Sequence, residues 1–156
     1  MTATLTQAHP GIDRTKRHIS VSQLKSYSMC SLKWWFSRKY CAEETPGALV
    51  FGKSFHAALQ GFYQARLEDR TLGHSDLMAI FADEYATEEL PILYGKTESK
   101  DSQFELAGRM LTVFLDRVRP AKVIAVEEPF SCELAPDVPP LVGAIDLMEI
   151  VTGEDG

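Results

Sequence analysis

The stretch "PPLVGAIDLMEIVTGEDG", Pro139 to Gly156, decides the fold. From Leu141 to Val151 it is an apolar run of strand length, rich in β-formers. A carboxylate, Asp146, stands between the apolar Ile145 and Leu147. A carboxylate inside a buried strand is costly unless it is paired, hydrogen-bonded or bound to a metal. Gly143, three residues earlier, allows another group to approach the strand closely. The run then gives way to "TGEDG", Thr152 to Gly156, whose Asp-Gly is a hairpin signal. Such a strand needs neighbours on both sides, and two strands rarely make a stable sheet. The expectation is a further strand downstream, with the chain cut short at Gly156.

Outward from this strand, "APDVPP" reads as a turn-rich link and "KVIAVEEPFSCEL", Lys122 to Leu134, as the preceding strand. Strict alternation puts Glu127 and Glu128 on opposite faces, so one of them can face Asp146. Upstream the periodicity is helical. "QFELAGRMLTVFLDRV" ends just before Pro120, and a helix begins near Ser75 with Leu77, Ile80, Phe81 and Tyr85 as its stripe. "LVFGKSFHAALQGFYQARLED" places Phe51, Phe55, Leu59, Phe62 and Tyr63 on or near one face, after a loop at "ETPGA". "HISVSQLKSYSMCSLKWWFSRKY" starts with a short extended piece. It continues as one helix, with Ser20 or Ser22 as its N-cap. The pattern predicts an α+β fold: a helical N-terminal half of about four helices, packed on the first two strands of a sheet. Residues 1–18 read as a disordered tail and 19–156 as one incomplete domain.

The 156 residues suffice for one domain with a real core. No apolar run approaches the roughly 20 residues that cross a bilayer. No apolar signal-peptide core opens the chain, so it reads as cytoplasmic. Cys30, Cys41 and Cys132 are an odd, scattered set, which argues against a disulfide framework. The net charge of −6 hides an asymmetry: Arg14 to Lys39 holds seven bases and no acid. Lys25, Lys33, Arg38 and Lys39 are interleaved there with Tyr27, Trp34, Trp35, Phe36 and Tyr40. Bases with aromatics suit a phosphate backbone and stacked nucleobases. An amphipathic helix with aromatics inward and bases outward explains the same pattern. For the aromatics that core-facing arrangement is the expectation; the basic block fits both.

In "FGKSFHAAL", Gly52 precedes His56 by one helical turn. The glycine leaves a gap over which the imidazole projects. A lone histidine is more often a packed or solvated residue than a ligand. His56, Asp146 and one of the two glutamates would together suit Mg2+ or Mn2+.

Four motifs in order resemble RecB-like nucleases of the PD-(D/E)XK superfamily. "ISVSQLKSYSMCSLKWWF" is similar to their Ser-x-Ser-x-x-x-x-Tyr-x-x-Cys opening, and "FGKSFHAAL" to their Gly-x-x-x-His helix. "VEEPF" and "LVGAIDLMEI" resemble the Glu-bearing strand and the Gly-x-Ile-Asp strand. The resemblance spans Ile19 to Ile150. It implies a PD-(D/E)XK-type mixed sheet and metal-dependent phosphodiester hydrolysis of DNA, in repair, recombination or phage DNA processing. His56 and Asp146 would be metal ligands and catalytic residues, with Glu128, less readily Glu127, as an auxiliary acid. It also implies a helicase or recombination partner. In relatives the counterpart of Cys30 joins three later cysteines around a 4Fe-4S cluster; this sequence has no such trio.

The family's next element is a strand with Asp/Glu-x-Lys, in which residues two apart share a face and the lysine orients water beside the metal. No such pair follows Asp146. The expectation is therefore a parent deoxyribonuclease of which these residues alone are inactive. The competing reading is a non-catalytic helical module that binds nucleic acid or protein.

Overall fold

Ten elements follow one another in the computed structural model, which describes residues 18–40, 43–118 and 122–150. They are β1 (Ile19–Ser20), α1 (Val21–Met29), α2 (Ser31–Lys39), β2 (Thr45–Pro46), α3 (Gly47–Leu67), α4 (His74–Tyr85), β3 (Ile92–Leu93), α5 (Lys100–Arg117), β4 (Lys122–Cys132) and β5 (Leu141–Ile150). The tail before residue 18, Cys41, Pro120 and the "TGEDG" turn lie outside the described residues. So do Arg14, Lys16 and Arg17 of the basic block. The architecture is α+β, as the sequence pattern predicts. Its helical part holds five described helices, because the stretch read as one helix breaks in two.

The break is at Cys30. Its backbone is extended (φ −164°, ψ 104°), so it ends α1 and starts α2. Its N–H donates to the Ser26 carbonyl at 3.1 Å, and its Sγ accepts from the Lys33 N–H at 3.4 Å. A thiol is a weak acceptor and not a preferred N-cap, so helical periodicity alone does not show this break. Ser20 is the N-cap of α1, accepting from the Gln23 N–H at 3.2 Å.

The contacts divide the described residues into two units, one of residues 18–40 and 127–145, the other of residues 43–118, 122–126 and 146–150. The second unit carries the main core. Val50, Ala58 and Phe62 of α3, Leu77, Phe81 and Tyr85 of α4, and Ala107 and Leu111 of α5 are buried together. These positions recur at spacings of four residues or its double, which places them on one stripe of each helix. The aromatics meet edge to face: Phe81 with Phe104 at 5.1 Å and Phe62 with Phe114 at 5.1 Å. The α5 start is fixed by Ser99 and Ser102, each accepting from the other's N–H, at 2.9 and 3.2 Å. The loop expected at "ETPGA" includes β2, which pairs in parallel with β3 (Thr45 opposite Ile92, Pro46 opposite Leu93).

A small polar network lies inside this core. The Tyr85 hydroxyl donates to Gln103 Oε1 at 2.8 Å and shares a hydrogen bond with the Tyr94 hydroxyl at 2.9 Å. Burial first, and the Tyr94 contact second, push the Tyr85 phenol well above its ordinary range. The fold favours the neutral phenol, so above about pH 10 the unfolded chain gives up this proton first. Stability is therefore full below that pH and falls as pH rises toward the folded value. Tyr85→Phe is expected to cost about 1–3 kcal/mol at neutral pH by stranding the Gln103 amide. It is also expected to shrink the alkaline loss. Urea unfolding at neutral and alkaline pH measures both.

In the first unit β1 pairs in parallel with the start of β5, Ile19 opposite Leu141 and Ser20 opposite Val142. The sheet order is β1-β5-β4, so β5 is the middle strand. Gly143 is a close-approach site, though for the protein's own side chains: a Cβ there would lie 2.7 Å from the Phe130 ring and 3.3 Å from Val21. The expectation of a buried β5 is corrected. Only Val142 of this strand is buried; Ile145, Met148, Ile150 and Asp146 itself are exposed. Apolar composition reports what a strand could bury, and three described strands leave part of its surface uncovered. The core-facing expectation for the α1 and α2 aromatics is corrected as well. Neither helix has a buried residue, and Tyr27, Trp35, Phe36 and Tyr40 are exposed.

Candidate metal centre

Helix geometry decides where His56 goes. Ser54 and Ala58 on either side of it are fully buried against the core. A residue midway between them, 200° around the helix from Ser54, must point away from that core. His56 is accordingly exposed. One turn before it, a Cβ built on Gly52 would meet nothing within 4 Å, so the space beside the imidazole is open.

Asp146 reaches the same place from β5. His56, Glu127 and Asp146 each offer a ligand atom, and these atoms lie within 4.8 Å of one another. Across an octahedral Mg2+ site, opposite ligands are about 4.2 Å apart. At most one pair of the three donors can be opposite; adjacent donors lie about 3.0 Å apart, so the side chains must move closer to share one ion. His56 and Asp146 are exposed and Glu127 is half-buried.

The carboxylate that joins the pair is Glu127, whereas Glu128 is exposed and outside the group. Glu127 has φ 54°, a left-handed conformation in the middle of β4. A non-glycine residue adopts it at a cost of roughly 1–3 kcal/mol, and such residues cluster at functional sites. The turn of the backbone breaks the alternation on which the sequence reading of the two glutamates rested. One signal was present in the sequence: Pro129 cannot donate to a ladder, and within sheets proline marks edges and bulges.

The other site residues read from the sequence do not join this group. Lys25 lies on α1, and Lys33, Arg38 and Lys39 on α2, all exposed. Cys30 is exposed, not the buried small hydrophobe expected of a lone thiol; capping of α2 holds it at a helix end. Among the described residues no group of three or more His, Cys, Asp or Glu forms around Cys30.

A histidine from a helix and a carboxylate from a strand, drawn together, make an arrangement suited to a divalent ion. The model of the PD-(D/E)XK nuclease superfamily matches residues 18–156, and the chain belongs to that superfamily. No curated protein and no solved structure matches it significantly. No helix among the described residues is long and apolar enough to cross a membrane.

Proposed function

We propose that this chain holds the divalent ion of a RecB-like DNA nuclease acting in repair, recombination or phage DNA processing. One observation carries the reading: His56 and Asp146, far apart in sequence, bring their ligand atoms within 4.8 Å. The donor set, one imidazole and two carboxylates, fits Mg2+ or Mn2+ better than a soft metal. When bound, such an ion polarises a phosphate and lowers the pKa of water.

The chain's own residues supply the rest. His56 offers an imidazole nitrogen from a helix whose opposite face is locked in the core. Asp146 and Glu127 offer carboxylate oxygens to the same cation. Gly52 leaves open the space beside the imidazole. No lysine follows Asp146 in the sequence, so these residues supply ion-holding donors and not the water-orienting lysine of Asp/Glu-x-Lys.

The test uses the protein expressed from its complete reading frame, with single- and double-stranded DNA and Mg2+ or Mn2+. Ion-dependent cleavage is expected. His56→Ala and Asp146→Ala should each lower it about 100-fold or more, the loss of several kcal/mol of charge stabilisation. Equal cleavage by all three proteins would overturn the reading. Retained binding to DNA with no cleavage under any ion would favour the non-catalytic module.

A further inference from the structure

We propose that the exposed face of α2 formed by Trp35, Phe36, Lys39 and Tyr40 is a stacking platform for single-stranded DNA. The nuclease reading is used only to choose DNA over other nucleic acids.

Exposure is the first observation. Trp35 and Phe36 are each 45% exposed and Tyr40 58%. Rings left in water side by side mark an interaction surface. Trp35 and Phe36 meet edge to face at 5.1 Å, and Phe36 and Tyr40 stack at 5.7 Å with 25° between planes. The rings thus make a continuous aromatic surface along one side of the helix end.

Charge is the second. The whole chain has 16 bases and 22 acids, yet Arg14 to Lys39 has seven bases and no acid. Among the described residues Lys25, Lys33, Arg38 and Lys39 make no ion pair. Instead the cations lie on the rings: Lys39 Nζ is 4.6 Å from the Trp35 centroid and 5.9 Å from that of Tyr40. Arg38 sits 4.9 Å over Trp34. A cation on a ring edge or face keeps its charge available to a second, anionic partner while its stem covers apolar surface.

The occupant follows from needing both features at once. A polyanion alone leaves the rings unmatched, and a purely apolar protein surface leaves the Lys39 cation desolvated without a partner. A duplex offers phosphates but hides the faces of its bases. A single strand offers phosphates and base faces alternately, the chemistry that aromatic-and-basic grooves take up without sequence preference.

The experiment is fluorescence anisotropy of the protein with labelled oligodeoxythymidylate in EDTA, so that neither an ion nor cleavage is involved. Trp35→Ala is expected to weaken binding roughly ten-fold, the worth of one stacked base. Lys39→Gln should reduce the slope of log affinity against log salt by about 0.7. A blunt duplex of equal length should bind more weakly than the single strand. Tyr40→Ala reads the same surface from outside the helix, and circular dichroism checks that each variant folds. Equal affinity for duplex and single strand, or unchanged binding by folded Trp35→Ala and Tyr40→Ala, would overturn the proposal. So would tighter binding of oligouridylate than of oligodeoxythymidylate. A dimer that Trp35→Ala dissolves, without DNA binding by the parent, would make the face a protein interface and overturn it too. Failure here leaves the ion site standing, and a failed cleavage test leaves this face untouched.

Discussion

Phe81→Ala is expected to lower the unfolding free energy by about 3–5 kcal/mol, the range for removing a buried aromatic ring. Phe81 is fully buried on α4 and meets Phe51 at 5.6 Å, Tyr85 at 5.8 Å and Phe104 at 5.1 Å. Those partners come from α3, α4 and α5, so the ring ties all three helices of the core together. A domain of ordinary stability has about 5–15 kcal/mol in total, so this one change removes a large share of it. The cost comes from lost transfer energy and from a cavity that three packed helices cannot close. The functional consequence is indirect: α3 carries His56, and its orientation depends on the face it buries. Urea denaturation should show a lower midpoint with an unchanged slope. Val113→Ala, at an exposed position on α5, is the control and should change stability by less than about 0.5 kcal/mol.

Asp146→Ala is expected to abolish stabilisation by Mn2+ while leaving the ion-free protein's stability almost unchanged. An ion that binds only the folded state stabilises it by about 2.7 kcal/mol at 100 times its Kd. For a chain of this size that corresponds to roughly 5–10 °C in Tm. Asp146 is exposed, and in the absence of an ion its carboxylate lies within 4.8 Å of a ligand atom of Glu127. Removing one of two like charges that close relieves repulsion. The variant should therefore be neutral or slightly more stable without metal, and flat against added Mn2+. His56→Ala should lose the same response. Differential scanning fluorimetry across a Mn2+ series, with a Ca2+ series beside it, measures both. A full shift retained in Asp146→Ala would place the ion elsewhere.

Much of this arrangement was legible in the sequence. Helical spacing located α3, α4 and α5, because buried apolar residues there recur every three or four positions. In α3 the stripe of Phe51, Phe55, Leu59, Phe62 and Tyr63 does lie in or against the core, which also buries the small residues Ser54 and Ala58 that the stripe leaves out. Ser54 meets its own need by donating to the Val50 carbonyl at 2.9 Å. The pairing of His56 with Asp146 was readable only as an ordered set of motifs, since no local rule joins a helix to a distant strand. Three features escaped. The break at Cys30 depends on a weak thiol cap. The choice of Glu127 depends on one left-handed residue that alternation cannot foresee. The bareness of α1 and α2 depends on tertiary packing, because amphipathicity says which face is apolar and not whether anything covers it.

The decisive measurement is anomalous X-ray scattering from crystals of the protein soaked in MnCl2. One strong manganese peak should lie within coordinating distance, about 2.1–2.3 Å, of an imidazole nitrogen of His56 and a carboxylate oxygen of Asp146. Ordered protein with no peak there, or a peak held by other side chains while these two stay apart, would contradict the assignment of the site.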